Sequence, residues 1–303
     1  MPASLPLFLR GIAVLLLGVL LDGSGWTAAD GLRAAGTSGL REMHAGLGPV
    51  LANSPFKGPL HLDSKESPRT LQGDVYAVVN YPFASVSTAL SDARNWCDVL
   101  ILHLNVKHCR RDNENAATQL ALRIGRKHDQ PLASATLVAF SYRAVAVTPE
   151  YMHVELEAPE GPFDTRNYRI LLEAVSLEGG RTFIHMGYSF TYGGVGRLAM
   201  RVYLSTIGRD KVGFTTARPP QPGKAPEYIG GLRGLVERNT MRYYLAIDAY
   251  LAALTAPAAE QFERRIALWF AATEKYPRQL HELDREVYLT MKRGEYKRQQ
   301  SPS

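Results

Sequence analysis

The sequence predicts an α+β protein: an antiparallel meander of about seven strands, closed by a long helix near the C-terminus. Three observations predict it. Between residues 118 and 192, apolar and polar residues alternate in short runs separated by turn residues, the pattern of half-buried strands. Leu232, Val236, Tyr243, Ile247, Tyr250 and Leu254 then recur at intervals of 4, 7, 4, 3 and 4, one continuous face of a helix over 231–254. Ahead of both, residues 73–109 read as strand, proline-punctuated helix and strand.

The elements follow in order. Leu40, Met43, Leu47 and Leu51 support a helix over 32–51, weakened by Gly46, Gly48 and Pro49. Pro55, Gly58 and Pro59 mark a linker, and Leu60, His61 and Leu62 suit an edge strand. In 74–80, Val75, Ala77 and Val79 face one way and Tyr76 and Val78 the other, so this strand is buried on both sides. Pro82 cannot donate to a ladder and ends it. Val86 and Leu90 form a short helical face, and Trp96, Val99, Leu100 and Leu104 resume it before a strand near Asn105. Five strands are expected at 118–124, 136–147, 152–157, 166–175 and 181–192, with turns at Pro131, Pro149, Gly161 and Gly179-Gly180.

Gly193-Gly194 ends the sheet, and Leu198, Val202 and Leu204 mark a helix over 195–207. A Pro-rich connector, 218–226, leads to the closing helix, which Ala256-Pro257 stops. Two more stripes follow, Phe262, Ile266, Trp269, Thr273 and Tyr276, then Leu280, Leu283, Val287 and Met291. They predict helices docked on the outside. The expected organisation is a signal segment (1–29), an N-terminal helix and linker (30–56), the main domain (57–255) and a helical extension (256–303).

The first 29 residues have the parts of a secretory signal: Arg10, the apolar run 11–21, and the small residues Thr27-Ala28-Ala29. Eleven apolar residues fall short of the roughly 20 that span a bilayer, although an uncleaved anchor is the alternative. The absence of a Cys after this run excludes a bacterial lipoprotein anchor. Export, to a bacterial periplasm, is the expectation. Arg10 and Asp22 cancel, so the net charge of +6 survives removal of the segment. That charge suits transient contact with anionic lipid. No Arg/Lys stripe interleaved with aromatics argues for nucleic acid.

An exported chain with Cys97 and Cys109, 12 residues apart, invites a disulfide. Two buried free thiols, or a zinc site with His103 and His108, are the other readings. No nucleophile elbow, H-E-x-x-H motif or P-loop is present, His281-Glu282 lacks a second His at the required offset, and no cofactor is implied. Polar groups in predicted inward positions carry more information. Asn239 sits on the closing stripe between Val236 and Tyr243, while Tyr142, Tyr188 and Tyr192 place polar tips on one face of the sheet. Arg238 and Arg242 are expected to pair with acids such as Asp164 or Glu173, or to meet an anionic headgroup. Structural pairing is likewise expected for Arg166, Asn167 and His185.

The run 73–100 resembles the opening of START-like (polyketide cyclase and lipid-transfer) domains. The residues that carry the resemblance are Gly73 at the strand start, Pro82 at its end, Val86 and Leu90 of the first helix, then Asp92 and Trp96. It implies a helix-grip fold, with the sheet curled around the last long helix over an apolar cavity. The connector before that helix departs from the simplest such plan. The function implied is binding or carrying a hydrophobic ligand, a lipid or sterol-like molecule. Tyr142, Tyr188, Tyr192, Asn239, Tyr243 and Trp96 are the candidate lining. Two other readings stand beside it: a scaffold or assembly factor docking through the C-terminal helices, and a cyclase or hydrolase of polyketide-like substrates. For the latter, no base lies near an orienting partner in the sequence.

Overall fold

Eight strands pair into a single antiparallel sheet in the order β1-β2-β8-β7-β6-β5-β4-β3, about seven and an edge strand at Leu60–Leu62 being expected. The computed structural model describes residues 35–112, 118–206, 208–219 and 223–301; the expected signal segment, 1–29, lies outside them. The strands are β1 (Leu60–Glu66), β2 (Thr70–Val79), β3 (Val106–Asp112), β4 (Gln119–Ile124), β5 (Thr136–Val147), β6 (Tyr151–Glu160), β7 (Thr165–Leu177) and β8 (Arg181–Tyr192). The expected edge strand is β1, which pairs with β2 from Leu60↔Ala77 to Glu66↔Leu71.

From β3 to β8 the chain is a meander, and β8 also takes β2 as a neighbour. The crossing from β2 to β3 is made by two helices, α2 (Phe83–Leu90) and α3 (Ala93–Leu100). Pro82, at φ −58°, sets the start of α2. Asp92 caps α3, its carboxylate accepting from the Arg94 amide at 2.9 Å. Helix α1 (Gly36–Ala52) survives Gly46, Gly48 and Pro49 because packing outweighs propensity. Leu40 and Leu51 bury against Tyr76, Tyr151, Val175 and Phe183, on the outer face of the sheet.

The inner face carries Leu71, Val75, Ala77 and Val79 of β2, with Ile184, Met186, Tyr188 and Phe190 of β8. Across it lies α5 (Gly231–Ala253), preceded by α4 (Gly194–Ser205). This is the helix-grip arrangement. Gly73 marks the closest approach, since a β-carbon there would stand 2.3 Å from the Thr240 hydroxyl oxygen. Glycine is what lets helix and strand meet.

The C-terminal extension forms α6 (Ala258–Thr273), α7 (Pro277–Leu280) and α8 (Arg285–Gln300). They make an outer layer against α5 and β3, yet share the main core. The Trp269 indole donates to the Arg242 carbonyl at 3.1 Å, and the Tyr288 hydroxyl to the Leu102 carbonyl at 3.0 Å. Lys107 and Lys292 both bond Glu295, at 3.0 and 2.7 Å, and all three side chains are fully buried. This layer overturns the expected pairing of the α5 arginines. Arg242 bonds Glu282 of the extension at 2.8 Å and Arg238 donates to the Val212 carbonyl, between α4 and the connector, at 3.2 Å, while Asp164 and Glu173 bond Arg166 and His185 instead.

Glu173 instead belongs to a buried cluster under α1. His185 bonds Asp74 through Nε2 (2.9 Å) and Glu173 through Nδ1 (3.1 Å), while Tyr151 and the Ala35 amide also donate to Glu173. Burial alone would lower the His185 pKa, but the two carboxylates outweigh it and raise it to about 9. The imidazole is therefore a cation held between two anions.

Candidate ligand-binding hollow

The site is built from one row of residues across the sheet. Strand register lines up Tyr142, Leu156, Ile170, Tyr188 and Gly73 on the inner face. The next row adds aromatic rings. Phe140 meets Tyr168 edge-on at 6.3 Å, Tyr168 stacks on Phe190 at 5.2 Å, and Tyr188 lies 5.7 Å from Phe190. Strand alternation places these side chains together, as β-geometry requires.

Above this floor, α5 supplies Asn239 and Tyr243, one turn apart on the same edge of the helix. The Tyr243 ring lies 4.7 Å from His103 and 5.2 Å from Tyr188, both buried. Tyr243 itself is only half-buried. Among the described residues, neither the Tyr188 nor the Tyr243 hydroxyl has a hydrogen-bond partner. Burial pushes both phenol pKa values well up, so each stays a neutral donor. Asn239 accepts from Arg242 at 3.4 Å, and its amide nitrogen has no partner among the described residues.

His103 adds a third polar group. Its Nδ1 accepts from the Asn105 amide at 3.2 Å, which puts the proton on Nε2, a buried donor without a partner. Burial, then the charges of Arg242, Lys292 and Lys127, hold it well below the usual histidine range, so the ring is neutral.

The other predicted residues lie apart. The Trp96 indole donates to the Leu90 carbonyl at 2.8 Å, and the Tyr142 hydroxyl reaches the same carbonyl at 3.5 Å, with the rings 6.5 Å apart. Their polar atoms are engaged in closing α2 onto the sheet. Tyr192 donates to the Ser67 carbonyl at 3.3 Å, on the wall of a separate polar cleft of about 680 Å³ shared with Arg69, Asp164, Arg166 and Arg197. Thus Tyr188 and Tyr243 come together, with Asn239 one turn from Tyr243 on α5; Tyr142 shares the Tyr188 row but spends its hydroxyl on Leu90, and Trp96 and Tyr192 lie apart. Sequence reasoning did not single out Phe140, Tyr168 and Phe190 as site residues, though Phe140 and Phe190 alternate in step with Tyr142 and Tyr188. His103, which the sequence offered only beside the cysteines, is a neighbour of Tyr243.

A second cleft, about 250 Å³, lies where Tyr81, Tyr244, Asp248 and Tyr276 meet. Burial raises the Asp248 carboxyl above its ordinary range there. The Asp74–His185–Glu173 cluster sets a His between two carboxylates and holds no nucleophile, and α1 packs on the β7 strand that carries Glu173. Among the described residues no group of three side chains could hold a metal ion, and no helix is long and apolar enough to cross a membrane. The Cys97 and Cys109 sulfurs are bonded, with Cα atoms 5.2 Å apart, which ties α3 to β3.

No family model and no curated protein matches the chain. Several solved structures are similar at low identity. Ara h 8.0201 is 12% identical over 64% of this chain and 99% of that one, with a TM-score of 0.35. Norcoclaurine synthase from Thalictrum flavum is 12% identical over 46% and 77%, with a TM-score of 0.32. Human StAR-related lipid transfer protein 5 is 10% identical over 57% and 91%, with a TM-score of 0.31. Similarities this low do not place the chain in a family.

Proposed function

We propose that this protein binds a hydrophobic guest, a lipid or sterol-like molecule, in the space between the inner face of the sheet and α5. The observation that carries the reading is the pair Tyr188 and Tyr243. Their rings are set among apolar side chains, and their hydroxyls are unbonded donors, with Asn239 one helical turn from Tyr243. An apolar enclosure with a few unspent polar groups suits a guest with a greasy body and one oxygen function. Removing apolar surface from water contributes roughly 25 cal/mol per Å², so ~200 Å² of guest surface supplies on the order of 5 kcal/mol before the cost of capture.

The C-terminal stripes that suggested a docking scaffold are largely spent on the chain's own core: Ile266, Trp269, Thr273, Leu280 and Met291 are buried, while Val287 remains 51% exposed. That favours the carrier over the scaffold. A carrier working outside the cytoplasm would keep the Cys97–Cys109 bond, in keeping with an export signal at 1–29.

Native mass spectrometry of the purified protein, followed by solvent extraction, tests the proposal. A co-purifying apolar species that is retained under gentle conditions and diminished in Tyr188→Trp, which fills the space, is the expected outcome. A chain that stays empty after incubation with mixed lipid extracts overturns it.

A further inference from the structure

Helix α4 leaves part of its apolar surface bare. One side, Gly196, Met200 and Leu204, rests on the core. The opposite side presents Val195, Leu198 and Val202, which are 62, 64 and 53% exposed. Spacings of three and four place them on a single ridge. Phe163, 71% exposed, stands in the Pro162–Asp164 turn, which packs on α4 with its Phe163 carbonyl towards Gly196. Phe163 and Asp164 are held at φ 56° and 59°, the left-handed region that residues with a β-carbon avoid. Backbone held in that region at a place where an aromatic ring meets solvent points to use. Single exposed apolar residues are ordinary, whereas three set along one helix ridge, with an exposed Phe in the turn that packs on the same helix, mark a contact surface.

The charge beside the patch selects the partner. Arg197 and Arg201 flank the ridge on α4, and Arg69 and Arg166 stand across the polar cleft at its N-terminal end. Asp164 is the one acid lining that cleft, and it is bonded to Arg166 at 3.1 Å. Arg69, Arg197 and Arg201 have no ion pair among the described residues.

We propose that α4 and the Pro162–Asp164 turn form a face that docks on an anionic lipid bilayer. The ridge and Phe163 enter the boundary between headgroups and acyl chains, and the arginines meet lipid phosphates and carboxylates. The inference extends the carrier reading, since α4 also packs against α5 and so lies close to the proposed hollow. Docking itself does not require a guest.

Co-sedimentation with vesicles tests it, comparing phosphatidylcholine alone with a phosphatidylcholine–phosphatidylserine mixture. The purified protein is expected to partition onto the mixed vesicles and not onto the neutral ones. Partitioning should fall about fivefold for each of Arg197→Gln and Arg201→Gln, and about tenfold or more for the double variant Leu198→Asn/Val202→Asn and for Phe163→Ser. These positions are exposed, and unchanged circular dichroism and melting confirm that the variants fold. Equal partitioning of wild type and variants overturns the proposal. So does a wild-type dimer that Leu198→Asn/Val202→Asn makes monomeric without altering vesicle binding, because the face then meets a second copy. A protein that carries lipid but ignores vesicles removes the docking face alone, and one that docks through α4 but is always empty removes the carrier reading alone.

Discussion

Replacing Gly73 by alanine probes the seating of α5 on the sheet. An added β-carbon at this position would stand 2.3 Å from the Thr240 Oγ1 and 3.2 Å from its Cβ. Thr240 is fully buried and its hydroxyl donates to the Val236 carbonyl at 2.8 Å, so it has nowhere to turn. Overpacking of this kind costs about 1–3 kcal/mol, and loss of the hydroxyl's bond adds about 1 kcal/mol. Gly73→Ala should therefore destabilise the fold by about 2–4 kcal/mol. In a strand free of the helix the same change would stabilise by about 0.5–1 kcal/mol, so the two accounts differ in sign. Urea unfolding of wild type, Gly73→Ala, Thr240→Ala and the double variant gives the full cycle. Because Thr240→Ala removes the obstructing oxygen, the double variant should recover at least about 1 kcal/mol relative to the sum of the singles. A neutral or stabilising Gly73→Ala, or strict additivity, would refute the placement of α5 over β2.

Other perturbations read other contacts. His185 has a folded pKa raised to about 9 from an ordinary 6.5, so its contribution is complete below pH 6.5 and is lost as pH rises towards 9, on the order of 3 kcal/mol. His185→Gln should flatten that part of the stability–pH curve, and an unchanged slope would contradict the charged assignment. Glu295→Gln leaves Lys107 and Lys292 buried without their shared carboxylate, and burial already lowers both ammonium pKa values, that of Lys292 to about 8. A loss of about 3–5 kcal/mol is expected in urea unfolding, and a loss under about 1 kcal/mol would mean that α8 is not seated on β3. Reducing the Cys97–Cys109 bond, which closes a loop of 12 residues, should cost about 3 kcal/mol. Melting with and without reductant checks this, and an unchanged midpoint would speak against the bond.

Much of the fold was legible because it is written locally. Alternation in 181–192 put Ile184, Met186, Tyr188 and Phe190 on one face, and the stripe from Leu232 to Leu254 marked the roof. Pro82 and Asp92 set off the two crossing helices. What was not legible depends on distant partners. Arg242 reads the same on the helix whether its carboxylate is Asp164 or Glu282, 40 residues further on. The apolar side of α4 has the same period bare as it would have covered, so spacing alone could not reveal Val195, Leu198 and Val202 in solvent. In the site, Tyr188 and Tyr243 were found because polar tips on apolar stripes stand out, while Trp96 and Tyr142 stood out equally and spend those tips on Leu90. His103 gave no such sign, since its role comes from stacking on a ring 140 residues away, which no local pattern encodes.

The proposed hollow can be tested directly by pressurising a crystal of the protein with xenon, which enters apolar space too small or too dry to show ordered water. The account predicts a xenon site, or density for a retained guest, within contact of the Tyr188 and Tyr243 rings beneath α5. Rings of Tyr168, Tyr188 and Tyr243 packed against neighbouring side chains with no xenon between them would contradict it.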